Sequence, residues 1–403
     1  MVIILINPVN LINTYKNYGS KPVTVKSNYG LEKDTVSFSG KSAVSKTEAI
    51  ETIDKAVPLS NAGFKGVVYK LDKDGKNYAI KVARSPEYKF DNEANILKQV
   101  PEDINCQRFV SYFQHPKTNC DVLVSTFVDG KKSNLKTTDE FNQFFDMLLK
   151  LDKANVLHGD LNMQNCLFGS KGIGLIDFGE GEVFKTGATY DDYIYPEFVL
   201  KSNVVNLEHN GIPDCIQSWV NDDVDPKECF KDYLISKSKY YQKHADFLTT
   251  QRQSPSAIEF EQNYSKVLSN PSKLVIENEI RRIDCLYTFE HADTAVNYKK
   301  IPNAAIKIWN MTIQKVKNQL DFIDNVLNYA DLSNDERKYF EYQKDMITMF
   351  NEQFTNWGAS TIEWLNGLSV RNDLSEYEKK FIENKNEQMS MPPNLVNMVL
   401  GDV

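Results

Sequence analysis

His158-Gly159-Asp160-Leu161-Asn162-Met163-Gln164-Asn165 leads directly into the short run Cys166 to Phe168, and twelve residues after Asn165 comes Asp177-Phe178-Gly179. A second short run, Gly174 to Ile176, lies between them. The two runs read as a β-hairpin bracketing the Gly169 to Gly172 turn, so both polar clusters flank one hairpin. On the N-terminal side, the β-branched runs Val67 to Tyr69, Tyr78 to Val82 and Val122 to Phe127 are separated by turn signals such as Asp74-Gly75. They predict a small antiparallel sheet. One helix interrupts it, because Phe90, Ala94, Ile96 and Leu97 set an apolar stripe on the segment that holds Glu93.

Beyond Asp139 helices dominate. Ile306, Trp309, Ile313, Val316, Leu320, Ile323 and Leu327 recur at steps of three and four, which is one apolar seam along a long helix. Ser333-x-x-Glu336 is a capping-box start for the next helix. Its Phe340, Ile347, Phe350, Phe354 and Trp357 would face the seam, with Gly358 as the stop. An antiparallel helical hairpin covers the seam more economically than an intermolecular coiled coil. Ser375-x-x-Glu378 opens a further helix. The fold class expected is α+β.

The 403 residues exceed what a single hydrophobic core usually supports. With 55 acidic against 47 basic residues the net charge is −8, which disfavours a broad phosphate-gripping face and argues against nucleic acid as a partner. Six cysteines are scattered without a C-x-x-C pair and only five histidines are present, so a structural zinc site is not expected and the thiols read as reduced. Val2 to Ile6 is a short apolar run with no basic residues before it. It fits neither a signal peptide nor a transmembrane helix, and the folding compartment reads as cytoplasmic. From about Asn13 to Thr47, Ser, Thr, Lys, Gly and Asn without apolar period indicate a loosely ordered arm.

His158 to Asn165 followed by Asp177-Phe178-Gly179 matches H-x-D-x-x-x-x-N followed by D-F-G, and the chain thereby resembles the protein-kinase-like superfamily. Three further segments carry the resemblance. Asn61-Ala62-Gly63-Phe64-Lys65-Gly66-Val67-Val68-Tyr69 resembles the glycine-rich loop, with Asn61 in place of its first glycine. Tyr78-Ala79-Ile80-Lys81 is similar to the strand ending in V-A-I-K. Tyr193-Ile194-Tyr195-Pro196-Glu197-Phe198-Val199-Leu200 looks like the end of an activation segment, with Tyr195 in an alanine position.

The resemblance implies a bilobal fold, with a small antiparallel β lobe, a larger helical lobe and a C-terminal helical extension. It also implies ATP and Mg²⁺ as substrate and cofactor. Gly63 and Gly66 would let backbone approach phosphate oxygens. Val68 and Ala79 would enclose adenine, and backbone groups near Thr126 and Val128 would bond it, with Ser125 at a small gatekeeper position. Lys81 would reach the α- and β-phosphates and pair with Glu93, Glu87 being the alternative. Asp160 would accept the acceptor's proton. Asn165 and Asp177 would hold the metal.

The resemblance covers about Leu59 to Leu200, and the departures from it are specific. Gly159 replaces the arginine of many regulated kinases, and Asn162 replaces a common phosphate-stabilising lysine. The H-G-D form is similar to aminoglycoside and choline phosphotransferases and to small bacterial effector kinases. A D-x-W-S-x-G helix is not recognisable after Leu200. The domains expected are 1–50, a flexible arm; 51–130, an N-lobe; 131–295, a C-lobe divergent after about residue 200; and 296–403, a helical extension whose helices could dock a partner protein. The function implied is that of a Ser/Thr-type protein kinase of bacterial or effector type, cytoplasmic or secreted into a host cell. The alternatives are a small-molecule kinase, a nucleotidyl transferase and a catalytically silent scaffold.

Overall fold

The computed structural model describes residues 44–60, 65–132, 135–184, 203–250, 255–297, 302–348 and 392–401. Expectations at Val2 to Ile6, at Gly63, at Tyr193 to Leu200, at Phe350 to Gly358 and at Ser375 to Glu378 fall outside these residues. The fold is mixed α and β, and the chain divides into two units: Met1–Ser133 with Met147–Asn206, and Asn134–Asp146 with Leu207–Val403.

The first described element of the first unit is α1 (Lys46–Lys55), which straddles the end of the stretch expected to be an arm. Ser45 and Glu48 form a reciprocal capping box there, a signal present in the sequence. Ala49 of α1 and the adjacent Val44 pack with Tyr78, Ile80, Val122 and Val124. That core accounts for the alternation of the sheet, whose strands β1 (Gly66–Lys73), β2 (Lys76–Ala83), β3 (Phe109–Gln114) and β4 (Asp121–Thr126) run antiparallel in the order β1-β2-β4-β3. Strand side chains alternate, so one face of β2 gives Tyr78 and Ile80 to the core and the other presents Ala79 and Lys81. Register then places Val68 and Leu123 beside Lys81, and Ser125 beside Ala79, on that second face.

α2 (Asp91–Leu97) carries Glu93, and α3 (Thr138–Lys153) begins in the second unit and ends in the first. β5 (Lys131–Lys132), β7 (Cys166–Gly169) and β8 (Gly172–Leu175) make a three-stranded sheet containing the expected hairpin. β6 (Val156–Leu157) pairs with β9 (Glu182–Val183). No disulfide joins any two of the six cysteines.

The second unit is helical: a π-helical turn at Leu207–Gly211, then α4 (Ile212–Asn221), α5 (Pro226–Thr250), α6 (Pro255–Ser269), α7 (Lys273–Asn297), α8 (Pro302–Tyr329) and α9 (Leu395–Leu400), with 334–348 also helical. The seam of α8 meets the preceding helix. Trp309 stands edge-on to Phe289 at 5.7 Å, and Gln319 Nε2 donates to the Asn278 carbonyl at 3.2 Å. The Ser333 cap forms as expected. Residues 334–348 run antiparallel to α8, since Arg337 reaches the Leu327 carbonyl and Lys344 pairs with Asp324. Among the described residues no helix is long and apolar enough to cross a membrane.

Candidate active site

Lys81, Glu93 and Asp177 meet in the first unit. Lys81 Nζ lies 2.7 Å from Glu93 Oε2 and 2.7 Å from Asp177 Oδ1. It also stands 5.0 Å from the centre of the Phe90 ring. Glu87 is not the partner; its N–H donates to Ser85 Oγ. Burial alone would lower the pKa of Lys81, but the two carboxylates outweigh it and raise it, so the lysine stays charged. Burial raises Glu93 against the pull of Lys81. Burial also works to raise Asp177, yet the charge of Lys81 and its hydrogen bond bring that carboxyl below the usual value. Gly66 is needed by packing as well as by any ligand, because a Cβ there would come 2.9 Å from the Phe90 ring and 3.0 Å from the Val82 carbonyl.

Asp160 and Asn165 occupy the loop that β6 enters and β7 leaves. The Asp160 carboxylate accepts from Asn162 Nδ2 at 2.8 Å and from Asn165 Nδ2 at 2.9 Å, and Asn165 Nδ2 also donates to the Asp160 carbonyl at 3.0 Å. Burial raises the Asp160 pKa; the two amide donors oppose this, while Asp177 and Glu180 add to it. The result is a carboxylate held in place yet more basic than a solvated one. With Asn165 Nδ2 committed, its Oδ1 is the atom suited to a cation. The Asn165 carbonyl accepts from the Ile176 N–H at 3.0 Å, which ties this asparagine to the residue before Asp177. A neutral and an anionic oxygen donor suit a hard divalent cation.

His158 supports the loop. The Asp160 N–H donates to its Nδ1 at 3.3 Å, so Nε2 carries the proton and donates to the Ile176 carbonyl at 3.0 Å. Its ring lies tilted against Phe178 with centres 4.4 Å apart, and burial brings its pKa down to about 4.

Gly159 has φ +81°, and a Cβ there would fall 2.0 Å from the Glu180 carbonyl oxygen. That collision accounts for a glycine here, since no side chain fits at this position. Val68 and Ala79 lie on the Lys81 face of the sheet, as register requires. The Thr126 N–H donates to the Arg108 carbonyl at 2.9 Å, so that donor is already committed. Val128 is buried; a Cβ on Gly174 would meet its side chain at 2.6 Å.

Sequence reading missed several residues that hold this arrangement. Gln107 accepts from the Asp177 N–H at 3.1 Å and donates to Ser125 Oγ at 3.2 Å, linking Ser125 to an aspartate in the left-handed region at φ +63°. Lys65 pairs with Glu180. Asn203 and Asn206 bond the backbone on either side of Asp160. None of these has a motif around it. Comparison with protein-family models and with curated proteins finds no match to this chain.

Proposed function

We propose that this protein is an ATP-dependent phosphotransferase with a protein-kinase-like, bilobal core, acting on a hydroxyl group of a protein. The observation that carries this is the convergence of Lys81, Glu93 and Asp177, with Asp160 and Asn165 on the adjoining loop and tied by backbone to the residue before Asp177. In this reading Lys81, oriented by two carboxylates, binds the α- and β-phosphates. Asp160 aligns the acceptor hydroxyl. The acceptor oxygen bonds to the γ-phosphorus as the bond to the β–γ bridging oxygen breaks; ADP leaves and the hydroxyl proton passes to Asp160. Its raised pKa suits a proton acceptor. Asn165 and Asp177 would hold Mg²⁺, which would supply positive charge to the phosphate oxygens.

A polypeptide acceptor is supported by the interval from Asp177 to Glu197, which has the length and ending of a peptide-binding segment. A small-molecule acceptor, an aminoglycoside or amino alcohol, is the second reading. It is favoured by the glycine that the backbone demands between His158 and Asp160.

The test is to incubate the protein with magnesium and ATP labelled separately at the α- and γ-phosphates, with generic proteins and with a panel of aminoglycosides and amino alcohols. γ-Label on protein supports the proposal, and γ-label only on small molecules supports the second reading. α-Label on an acceptor indicates nucleotidyl transfer. Absence of all transfer with nucleotide bound indicates a scaffold and overturns the proposal.

A further inference from the structure

Asn203 and Asn206 lie three residues apart on one helical stretch, 203–206, and each engages the backbone through both atoms of its carboxamide. Asn203 Nδ2 donates to the Val156 carbonyl at 3.1 Å while its Oδ1 accepts from the His158 N–H at 3.1 Å. Asn206 Nδ2 donates to the Gly159 carbonyl at 3.1 Å while its Oδ1 accepts from the Leu161 N–H. Each amide therefore spans a carbonyl and an N–H two residues apart, and both patterns advance by three residues together. A planar amide with donor and acceptor side by side matches that spacing; a carboxylate lacks the donor, and a hydroxyl carries both functions on a single atom.

We propose that Asn203 and Asn206 are a paired clamp of positioning residues that sets the backbone on both sides of Asp160 and so aims its carboxylate at the acceptor hydroxyl. The clamp brackets the acid, since Asn206 holds the residue before it and the residue after it. It acts on a segment that needs restraint. Gly159 is in the left-handed region at φ +81°, and the Asp160 N–H is bound within the loop itself by His158. Asn203 is fully buried, so its two partners have no water to fall back on. The Asp160 carboxylate is then trimmed by Asn162 and Asn165, which set its rotation once the clamp has set its position. The clamp does not touch Lys81, Glu93 or Asp177, so it separates acceptor alignment from nucleotide binding.

This inference rests on the phosphotransferase reading, and its test keeps the two apart. Asn206 is only partly buried, so Asn206→Ala is the main variant, and Asn206→Asp keeps the acceptor for Leu161 while losing the donor to Gly159. The account expects kcat to fall about 10- to 100-fold in Asn206→Ala, with Asn206→Asp between it and the wild type, while KM for ATP stays within about twofold. Amide exchange at Leu161 should speed up in Asn206→Ala, and at His158 in Asn203→Ala. A kcat within about twofold of wild type overturns the clamp. So does a joint fall of kcat, ATP affinity and melting temperature, which would mark a merely structural role. If the wild type transfers no phosphate, the phosphotransferase reading fails. The exchange experiment then decides the clamp alone, and unchanged protection at Leu161 overturns it.

Discussion

Each unit of the molecule holds a cluster of buried charge, and the two are built on opposite plans. In the second unit Glu208 and Glu279 face Lys237 and Arg282, with Lys237 Nζ 2.8 Å and 2.9 Å from the two carboxylates and Arg282 bonded to both. Tyr233 donates to Glu208 at 2.6 Å, and Tyr264 and Tyr339 donate to Glu279 at 2.5 and 2.7 Å. Two negative charges meet two positive ones, and the side chains of Glu208, Lys237 and Glu279 are at most 2% exposed. Burial would raise Glu208, but Arg282 and Lys237 overcome it and bring the group down to about 2. In the first unit one ammonium serves two carboxylates, and the Asp177 side chain is 46% exposed. A balanced, closed cluster has no further need of a ligand. An open one with surplus negative charge favours a cation, and on that difference rests the proposal that one is architecture and the other a site.

Breaking the closed cluster should give the largest effect. Lys237→Met leaves two buried carboxylates to share Arg282 alone and should cost about 3 to 5 kcal/mol in chemical denaturation; a loss below about 1 kcal/mol would mean the cluster is not the closed network described. The open site should respond in the other currency. Asp160→Ala should lower phosphoryl transfer by about 10²- to 10⁴-fold with little change in the denaturation midpoint. A midpoint shift as large as that of Lys237→Met would erase the contrast.

The third expectation concerns pH. His158 has a folded pKa near 4 against an ordinary 6.5, so the unfolded chain takes up this proton first. The stability it contributes is full above about pH 6.5 and is lost as pH falls toward 4, on the order of 3 kcal/mol. Denaturation of the wild type and of His158→Phe across that range should show a steeper decline in the wild type; parallel curves would remove the assignment.

How much of this was legible in the sequence follows from the range of the interactions. Lys81, Asp160, Asn165 and Asp177 stand in contiguous motifs whose local spacing survives in one dimension. Strand register then required Val68 and Ala79 to share the Lys81 face. Gly159 was visible only as a departure; its reason, the Glu180 carbonyl beside it, is a contact between segments 21 residues apart. α1 straddles the end of the stretch read as the arm and was passed over, although the Ser45 and Glu48 cap stands in the sequence. Asn203, Asn206 and Gln107 could not be read at all. They are polar residues on unremarkable segments, and their partners are backbone atoms, which carry no residue identity.

Gln107 gives the smallest expected effect and sharpens the same contrast. Gln107→Ala releases the Asp177 N–H without altering any charge, so transfer should fall about 10-fold, near 1.4 kcal/mol, with Ser125→Ala milder because it leaves that bond intact. Equal losses in the two variants would show that the link to Ser125, rather than the hold on Asp177, matters.

The difference in charge balance is tested most directly by calorimetric titration of ATP into the wild type and Asp177→Asn, each with and without Mg²⁺. The account predicts saturable binding that depends on Mg²⁺ in the wild type, with that dependence lost in Asp177→Asn. Binding indifferent to both the metal and the substitution, or no binding at all, would contradict it.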